Sequence, residues 1–378
     1  MRTIAGRITL ALAAIVLLTI VYSPGARADD SQYLLVKMPS DVLTKFWGEP
    51  VSIVAHVFLP DSYHHDPTRR YPVMYFVQGF DGIGDPGEAE TLRWQKPMRA
   101  LHQEFILIFL DGMFNGGHQE FADSATYGPW GTALTTEFIP KTESYFRAVN
   151  SPSARFVSGH SSGGWSALWL QITYPTIFGG EWSISPDPVD FRDFLGTDLT
   201  VQAPQNFFDT PYKMLGLPMG KFVGYEDWER RQFTSFESVF GPTDAKGAVE
   251  PLFDRTSGAI DPAVAKYWEA HYDIARILRD EWPRVGPELR GKIHIFVGGA
   301  DNFHLDAPVV LLKHELQTFG SDAEIEVVPG RDHWSIFDAH NGLTSYIVQE
   351  ATAAYLAGLP STATPAEAPS ARPNGSWR

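Results

Sequence analysis

The tightest constraint on this chain is the run Ser158-Gly159-His160-Ser161-Ser162-Gly163-Gly164. It holds Gly-x-Ser-x-Gly, with Ser161 at the centre. Residues 154–157 (Ala-Arg-Phe-Val) read as the end of a short buried strand, and residues 165–170 (Trp-Ser-Ala-Leu-Trp-Leu) as the start of a helix. Strand, sharp turn and helix are the setting in which this pattern presents a serine hydroxyl above a sheet. The turn strains the backbone of the central residue, and glycines on either side avoid side-chain collisions where strand and helix cross. Ser162 is a poor rival, because a frame centred on it would need glycine at His160.

Apolar runs on both sides of this turn extend the pattern. Tyr71 to Val77, Phe105 to Leu110, Gly180 to Ser185, Lys292 to Gly298 and Ala323 to Val328 read as strands, the first two apolar throughout. Such runs suit a parallel sheet covered on both faces. Helical stretches separate them: Glu88 to Gln103, Thr132 to Ala148 with Pro140 inside, Leu305 to Thr318, and a closing helix from Ser335 to Leu356. The alternation implies an α/β fold with right-handed crossovers. Val51 to Phe58 alternates and reads as an antiparallel strand near the sheet edge.

The two ends of the chain read differently. Arg2 and Arg7 precede an apolar run from Ile8 to Val21, then Ser23-Pro24-Gly25 and Ala26-Arg27-Ala28. We read 1–28 as an export signal cleaved before Asp29, its apolar run being short for a membrane span; an uncleaved membrane anchor is the competing reading. Residues 360–378 are rich in Pro, Ala, Ser and Thr and read as a disordered tail, leaving 29–359 as the folded domain. The chain has no cysteine, which excludes disulfides, thiolate metal sites and a cysteine nucleophile. Losing Arg2, Arg7 and Arg27 takes the formal charge from −15 to −18. A chain this acidic is a poor partner for nucleic acid or anionic membranes. The expected location is secreted or periplasmic, without stable membrane insertion after cleavage.

Two loops invite other readings. His64-His65-Asp66 is not followed by further ligands at metal spacing, so we expect no metal site there. Gly82, Gly84 and Gly87 spell Gly-x-Gly-x-x-Gly after a strand. Asp85 would repel a pyrophosphate and Pro86 removes an N–H, so no dinucleotide and no other cofactor is expected. The loop instead suits a place beside the serine turn. The N–H of Phe80 and the N–H of Ser162 are then candidates to bind an oxyanion.

The segment 186–289 breaks the rhythm. It is rich in proline, glycine and aromatic residues, including Phe207, Phe222, Phe233, Phe236 and Phe240, and ends in a helical stretch from Pro262 to Trp282. It reads as an insertion after the serine strand–helix unit. Its rings either partly cover the site and line an apolar pocket, or form a second small core.

A serine nucleophile needs a base, and the base an orienting acid. Catalytic groups in such sheets collect past the carboxyl ends of the strands. Ser161, Asp301 and His333 each follow a strand end, in serine–acid–histidine order. Asp306 is the nearest rival acid but reads as a helix-start residue. His304 lies within the acid's own loop, and His160 is expected to pack beneath the turn rather than take part in the chemistry.

Several further segments now match one family. Leu59-Pro60-Asp61-Ser62-Tyr63, Tyr71-Pro72-Val73-Met74-Tyr75 and Gly79-Phe80 are similar to the opening of the putative esterase family of α/β-hydrolases, which includes esterase D-type enzymes, feruloyl esterases and mycolyltransferases. Thr136-Glu137-Phe138-Ile139-Pro140, Gly298-Gly299-Ala300-Asp301-Asn302-Phe303 and Gly330-Arg331-Asp332-His333 resemble its later segments. The resemblance runs from about Phe46 to Leu356. It departs at Gln78, where the family usually has histidine, and at Ser162, where it has methionine or leucine. It implies a three-layer sandwich, a Ser161–His333–Asp301 triad, and hydrolysis of a small-molecule, carbohydrate or lipid ester through an acyl-serine. An acyltransferase with the same triad, and a catalytically idle binding protein on the same fold, are the competing expectations.

Overall fold

The computed structural model describes residues 19–21, 33–82, 86–201, 203–214, 216–222, 228–338, 340 and 342–359. Its centre is a nine-stranded sheet. The strands are β1 (Thr19–Val21), β2 (Tyr33–Pro39), β3 (Ser52–Phe58), β4 (Val73–Val77), β5 (Ile106–Leu110), β6 (Arg155–His160), β7 (Gly180–Ile184), β8 (Ile293–Gly298) and β9 (Glu324–Val328). In space they run β1-β2-β3-β5-β4-β6-β7-β8-β9. β1 to β3 are antiparallel, as is the β3–β5 pair, and every later pairing is parallel. The expected edge strand is therefore present as β3, with β2 outside it, a strand that sequence reading passed over. The export-signal reading falls mostly outside the described residues; of 1–28 only Thr19–Val21 is described, paired with Leu35–Lys37. The tail 360–378 lies outside them altogether.

β4, β5 and β7 are buried along their whole length. That is why they carry no polar alternation: both faces meet apolar layers. Met74, Phe76, Phe109, Phe156, Trp182 and Phe296 pack on one face, with Trp94 and Met98 of α1 (Gly87–Ala100) and with Ile347 and Val348 of the C-terminal helix (Leu343–Ala357). Tyr75, Val77, Ile108 and Val157 pack on the other, with Phe138 and Ile139 and with Ala167 and Leu170 of α2 (Ser162–Thr173). Adjacent residues of one strand thus serve opposite layers.

Residues 130–145 are helical, but Leu134–Phe138 is π-helical between two α segments. Pro140 follows directly. It has no N–H to give, and its ring crowds the carbonyl four residues back, so the wider turn relieves the clash. The expected helix from Pro262 to Trp282 is two helices, Pro262–Tyr272 and Ile274–Val285. Asp273 divides them: its backbone is extended and its side chain accepts the Arg276 N–H as an N-cap. The closing helix also starts later than expected. A 3-10 turn occupies Ser335–Phe337, and Gly342 in the left-handed region precedes the helix at Leu343.

The rings of segment 186–289 join a core shared with the sheet, in one cluster with Ile293, Ile295 and Val297 of β8. Phe191, Phe194, Phe207, Phe233, Phe240 and Trp268 are buried together and pack onto Trp165 and Trp169 of α2. No helix among the described residues is long and apolar enough to cross a membrane.

Candidate active site

Ser161 lies between β6 and α2 with φ 60° and ψ −125°. A serine in this region is strained, and the surroundings hold it there. Its N–H donates to Ile184 O at 2.9 Å, and its carbonyl accepts from Gly164 and Trp165 at 2.8 and 3.0 Å. The flanking glycines are required by contact. A Cβ on Gly159 would lie 2.1 Å from Gly163 O, and one on Gly163 would lie 2.0 Å from Val77 O.

His333 and Asp301 meet across the ends of β8 and β9. His333 Nδ1 is 2.8 Å from Asp301 Oδ2, with both side chains buried. The loop after β8 aims the carboxylate: Asp301 Oδ1 accepts the Phe303 N–H at 2.8 Å. Asn302 Oδ1 accepts the His333 N–H at 3.3 Å. With Nδ1 committed to Asp301, Nε2 is the imidazole nitrogen left for chemistry. Asp306 heads the helix Asp306–Thr318 as expected. His304 stacks on Tyr212, ring centroids 4.1 Å apart.

Ser161 and His333 open onto one cavity of about 400 Å³. Gln78, Gly79 and Phe80 form one wall of it. The Ser162 N–H heads α2, where helix geometry leaves no intrahelical acceptor for it. The two N–H groups considered for an oxyanion thus belong to the loop and the turn that flank Ser161. Among the described residues, no group of three or more His, Asp or Glu side chains is placed to hold a metal ion. His64-His65-Asp66 sits in a loop where Asp66 accepts from Thr68 and Arg69.

His160 is not packed beneath the turn. It lines the cavity, and its Nε2–H donates to the His333 carbonyl at 2.8 Å. Its ring stacks on Phe337, centroids 5.4 Å apart. Burial, with His333 beside it, holds its pKa well below the usual histidine value. It therefore stays neutral and props the histidine loop. The strand–turn pattern gives no hint of this, because the partner is 173 residues away.

Other wall residues also escaped sequence reading. Glu90 and Arg93 are an ion pair at 3.1 Å on α1, and the Arg93 guanidinium lies over the Phe337 ring at 4.2 Å. Trp334 stands at the mouth, 60% exposed. Gln232, from the insertion helix Trp228–Phe240, reaches the cavity too. The helical spacing of Glu90 and Arg93 shows that they share a face, but not that this face looks onto the site.

Buried acids surround the sheet ends. Ser162 Oγ donates to Asp187 Oδ2 at 2.5 Å. Burial, with Glu120 nearby, pushes the Asp187 pKa up to about 8, and burial pushes Glu181 up to about 8. Each acid keeps a proton in the folded chain where the unfolded chain has lost it. The folded state binds more protons, so these groups' contribution to stability is full below the unfolded values near 4 and is lost as pH rises to about 8. Thermal unfolding should accordingly give a higher Tm at pH 6 than at pH 8.5. Asp187→Asn should narrow that gap; an unchanged gap in a folded variant would contradict the assignment.

The family model described as "Putative esterase" matches residues 51–339. A search of curated proteins returned no match. Among solved structures, a ferulic acid esterase is similar at 16% identity and TM-score 0.54, covering 86% of this chain and 99% of its own. An S-formylglutathione hydrolase from Agrobacterium tumefaciens is similar at 16% identity and TM-score 0.51, covering 85% and 95%. Fluorophosphonate-binding serine hydrolase F from Staphylococcus aureus is similar at 13% identity and TM-score 0.50, covering 85% and 98%. At these identities the structures speak for the α/β-hydrolase fold alone.

Proposed function

Because the chain belongs to the putative esterase family and is a serine esterase, we propose that Ser161, His333 and Asp301 carry its chemistry as a triad, through a covalent acyl-enzyme. The observation that carries this reading is the buried 2.8 Å contact of His333 with Asp301, opening onto the same cavity as the strained Ser161.

The reaction runs in two halves. Ser161 Oγ attacks the ester carbonyl carbon while His333 Nε2 takes the hydroxyl proton. The carbonyl oxygen gains negative charge and faces the N–H groups of Phe80 and Ser162, each such donor being worth roughly 2.7–4 kcal/mol in comparable sites. The intermediate collapses, the alcohol oxygen leaves, and His333 returns the proton to it. Water then attacks the acyl-serine while His333 takes its proton; the intermediate collapses, His333 returns that proton to Ser161 Oγ, and the acid is released. Asp301 accepts the Nδ1–H throughout. It fixes the tautomer and stabilises the imidazolium without taking the proton itself.

Water is the acceptor in this reading. Transfer to a sugar or other alcohol would use the same acyl-serine. The separating experiment is a panel of short-acyl, long-acyl, feruloyl and acetyl-sugar esters, assayed with and without a sugar acceptor. Turnover without acceptor is the expected result; turnover only with acceptor would make the protein a transferase. The cavity's walls combine rings (Phe80, Phe303, Trp334) with the Glu90–Arg93 pair, which suits an ester with both an apolar and a hydroxylated part.

We also retain the reading of 1–28 as a cleaved export signal. N-terminal sequencing of the exported protein should begin at Asp29. Retention of residues 19–21 would overturn it.

A further inference from the structure

Resting on that esterase reading, we propose that His118 is a positioning residue that locks the oxyanion loop to the serine turn, and that Ser235 of the insertion holds it there. The family motifs quoted above do not include either residue.

His118 is fully buried, and its Nε2 is 2.8 Å from the Gln78 carbonyl. A carbonyl can only accept, so Nε2 carries the hydrogen in every protonation state that keeps this contact. Gln78 opens the loop that leads through Gly79 to Phe80. The same carbonyl oxygen also faces the serine turn: a Cβ on Gly163 would lie 2.8 Å from Gln78 O. Room for the imidazole is made by Gly112, whose Cβ would fall 2.1 Å from His118 Nε2.

The ring is gripped from its far edge as well. His118 Nδ1 accepts the Glu120 N–H at 3.1 Å and lies 3.3 Å from Glu120 Oε1, while Glu120 Oε2 accepts the Ser166 hydroxyl of α2 at 3.1 Å. Burial lowers the His118 pKa, but the Glu120 carboxylate, the Gln78 carbonyl and Asp187 together outweigh it and the net direction is upward. Glu120 and Phe121 have φ of 54° and 46°, a region that such residues leave unless their surroundings fix them. The contact is an ion pair only when the ring is protonated, and a buried pair of this kind is weak support for stability. It is well suited to hold one geometry.

The third tie comes from the insertion. The His118 N–H donates to Ser235 Oγ at 2.7 Å, and Ser235 Oγ donates to the His118 carbonyl at 2.9 Å. Ser235 lies on the helix Trp228–Phe240, which also sends Gln232 into the cavity. A continuous polar path therefore runs from the insertion helix to the loop bearing the Phe80 N–H. A surface pair, Arg231 with Asp81 at 4.0 Å, runs parallel to it but is exposed and weak.

The test uses the whole protein with an activated aryl ester. His118→Leu removes the donor; His118→Gln keeps an N–H of similar reach; Ser235→Ala removes only the backbone clamp. Losing an oxyanion donor outright lowers kcat by about 10²- to 10³-fold, so a misaimed one should lower it about 10- to 100-fold in His118→Leu. KM should stay within about threefold, and His118→Gln should recover part of the loss. Affinity for an aryl trifluoromethyl ketone, which forms an oxyanion on Ser161, should fall in parallel with kcat. Ser235→Ala should show the same pattern at several-fold.

Unchanged kcat and ketone affinity in folded His118→Leu would overturn the proposal, as would a fall in Tm alone. If His118→Leu does not fold, Ser235→Ala decides: unchanged kcat and ketone affinity overturn it. Should Ser161→Ala retain turnover, the esterase reading itself has failed. Should Ser161→Ala be dead while His118 and Ser235 variants are normal, only the present inference has failed.

Discussion

Ser161→Ala should lower ester turnover by roughly 10⁵- to 10⁶-fold, as loss of the nucleophile does in serine hydrolases generally. The fold should survive the change. What ties residue 161 into the structure is backbone: the bond to Ile184 O, and the bonds from Gly164 and Trp165. Alanine keeps all of these. The left-handed φ of 60° strains alanine about as it strains serine, since both carry a Cβ. Circular dichroism and Tm near wild type, with turnover at background, is the expected combination. Substantial residual turnover would mean that another hydroxyl attacks. Ser162 is the obvious one to suspect, but its Oγ is engaged with Asp187 at 2.5 Å.

The second large effect lies in the base and its acid. His333→Ala should fall to about the level of Ser161→Ala, and the double variant should be scarcely worse than either single one, because the two residues act as a unit. Asp301→Asn should lose about 10⁴-fold. An asparagine NH₂ facing Nδ1 would favour the tautomer with the hydrogen on Nε2, leaving no free base for the serine proton. Ratios of kcat/KM for the singles and the double check this directly. Multiplicative losses would show that His333 and Ser161 do not work together.

The sheet was legible because its middle strands are buried on both faces, and that burial writes itself as unbroken apolar runs such as Tyr71–Val77 and Phe105–Leu110. Candidate site residues were legible for a related reason: Ser161, Asp301 and His333 stand just past strand ends, where local pattern and topology coincide. β2 was missed because Tyr33–Pro39 alternates weakly and includes Lys37 and Pro39. The break at Asp273 was missed because aspartate inside a helical run reads as a solvent-facing residue until its side chain is seen capping Arg276. The insertion's rings left two readings open, since buried core and pocket lining use the same residue types. The structure packs most of them with each other.

Contacts made across long sequence separations left no trace in the linear pattern. His160 reaches His333 across 173 residues, and His118 reaches Ser235 across 117. His160 lies inside the serine motif and His118 between Gly117 and Gln119, and neither setting names a distant partner.

The most direct test of the account is to catch the acyl group on the enzyme. The protein is mixed with an activated aryl ester, quenched in acid within the first turnover, and the adduct is located by peptide mass spectrometry. The account predicts one acyl mass on Ser161 in wild type and none in His333→Ala at the same time point. Rapid turnover with no adduct at any time, or an adduct on a different residue, would contradict it.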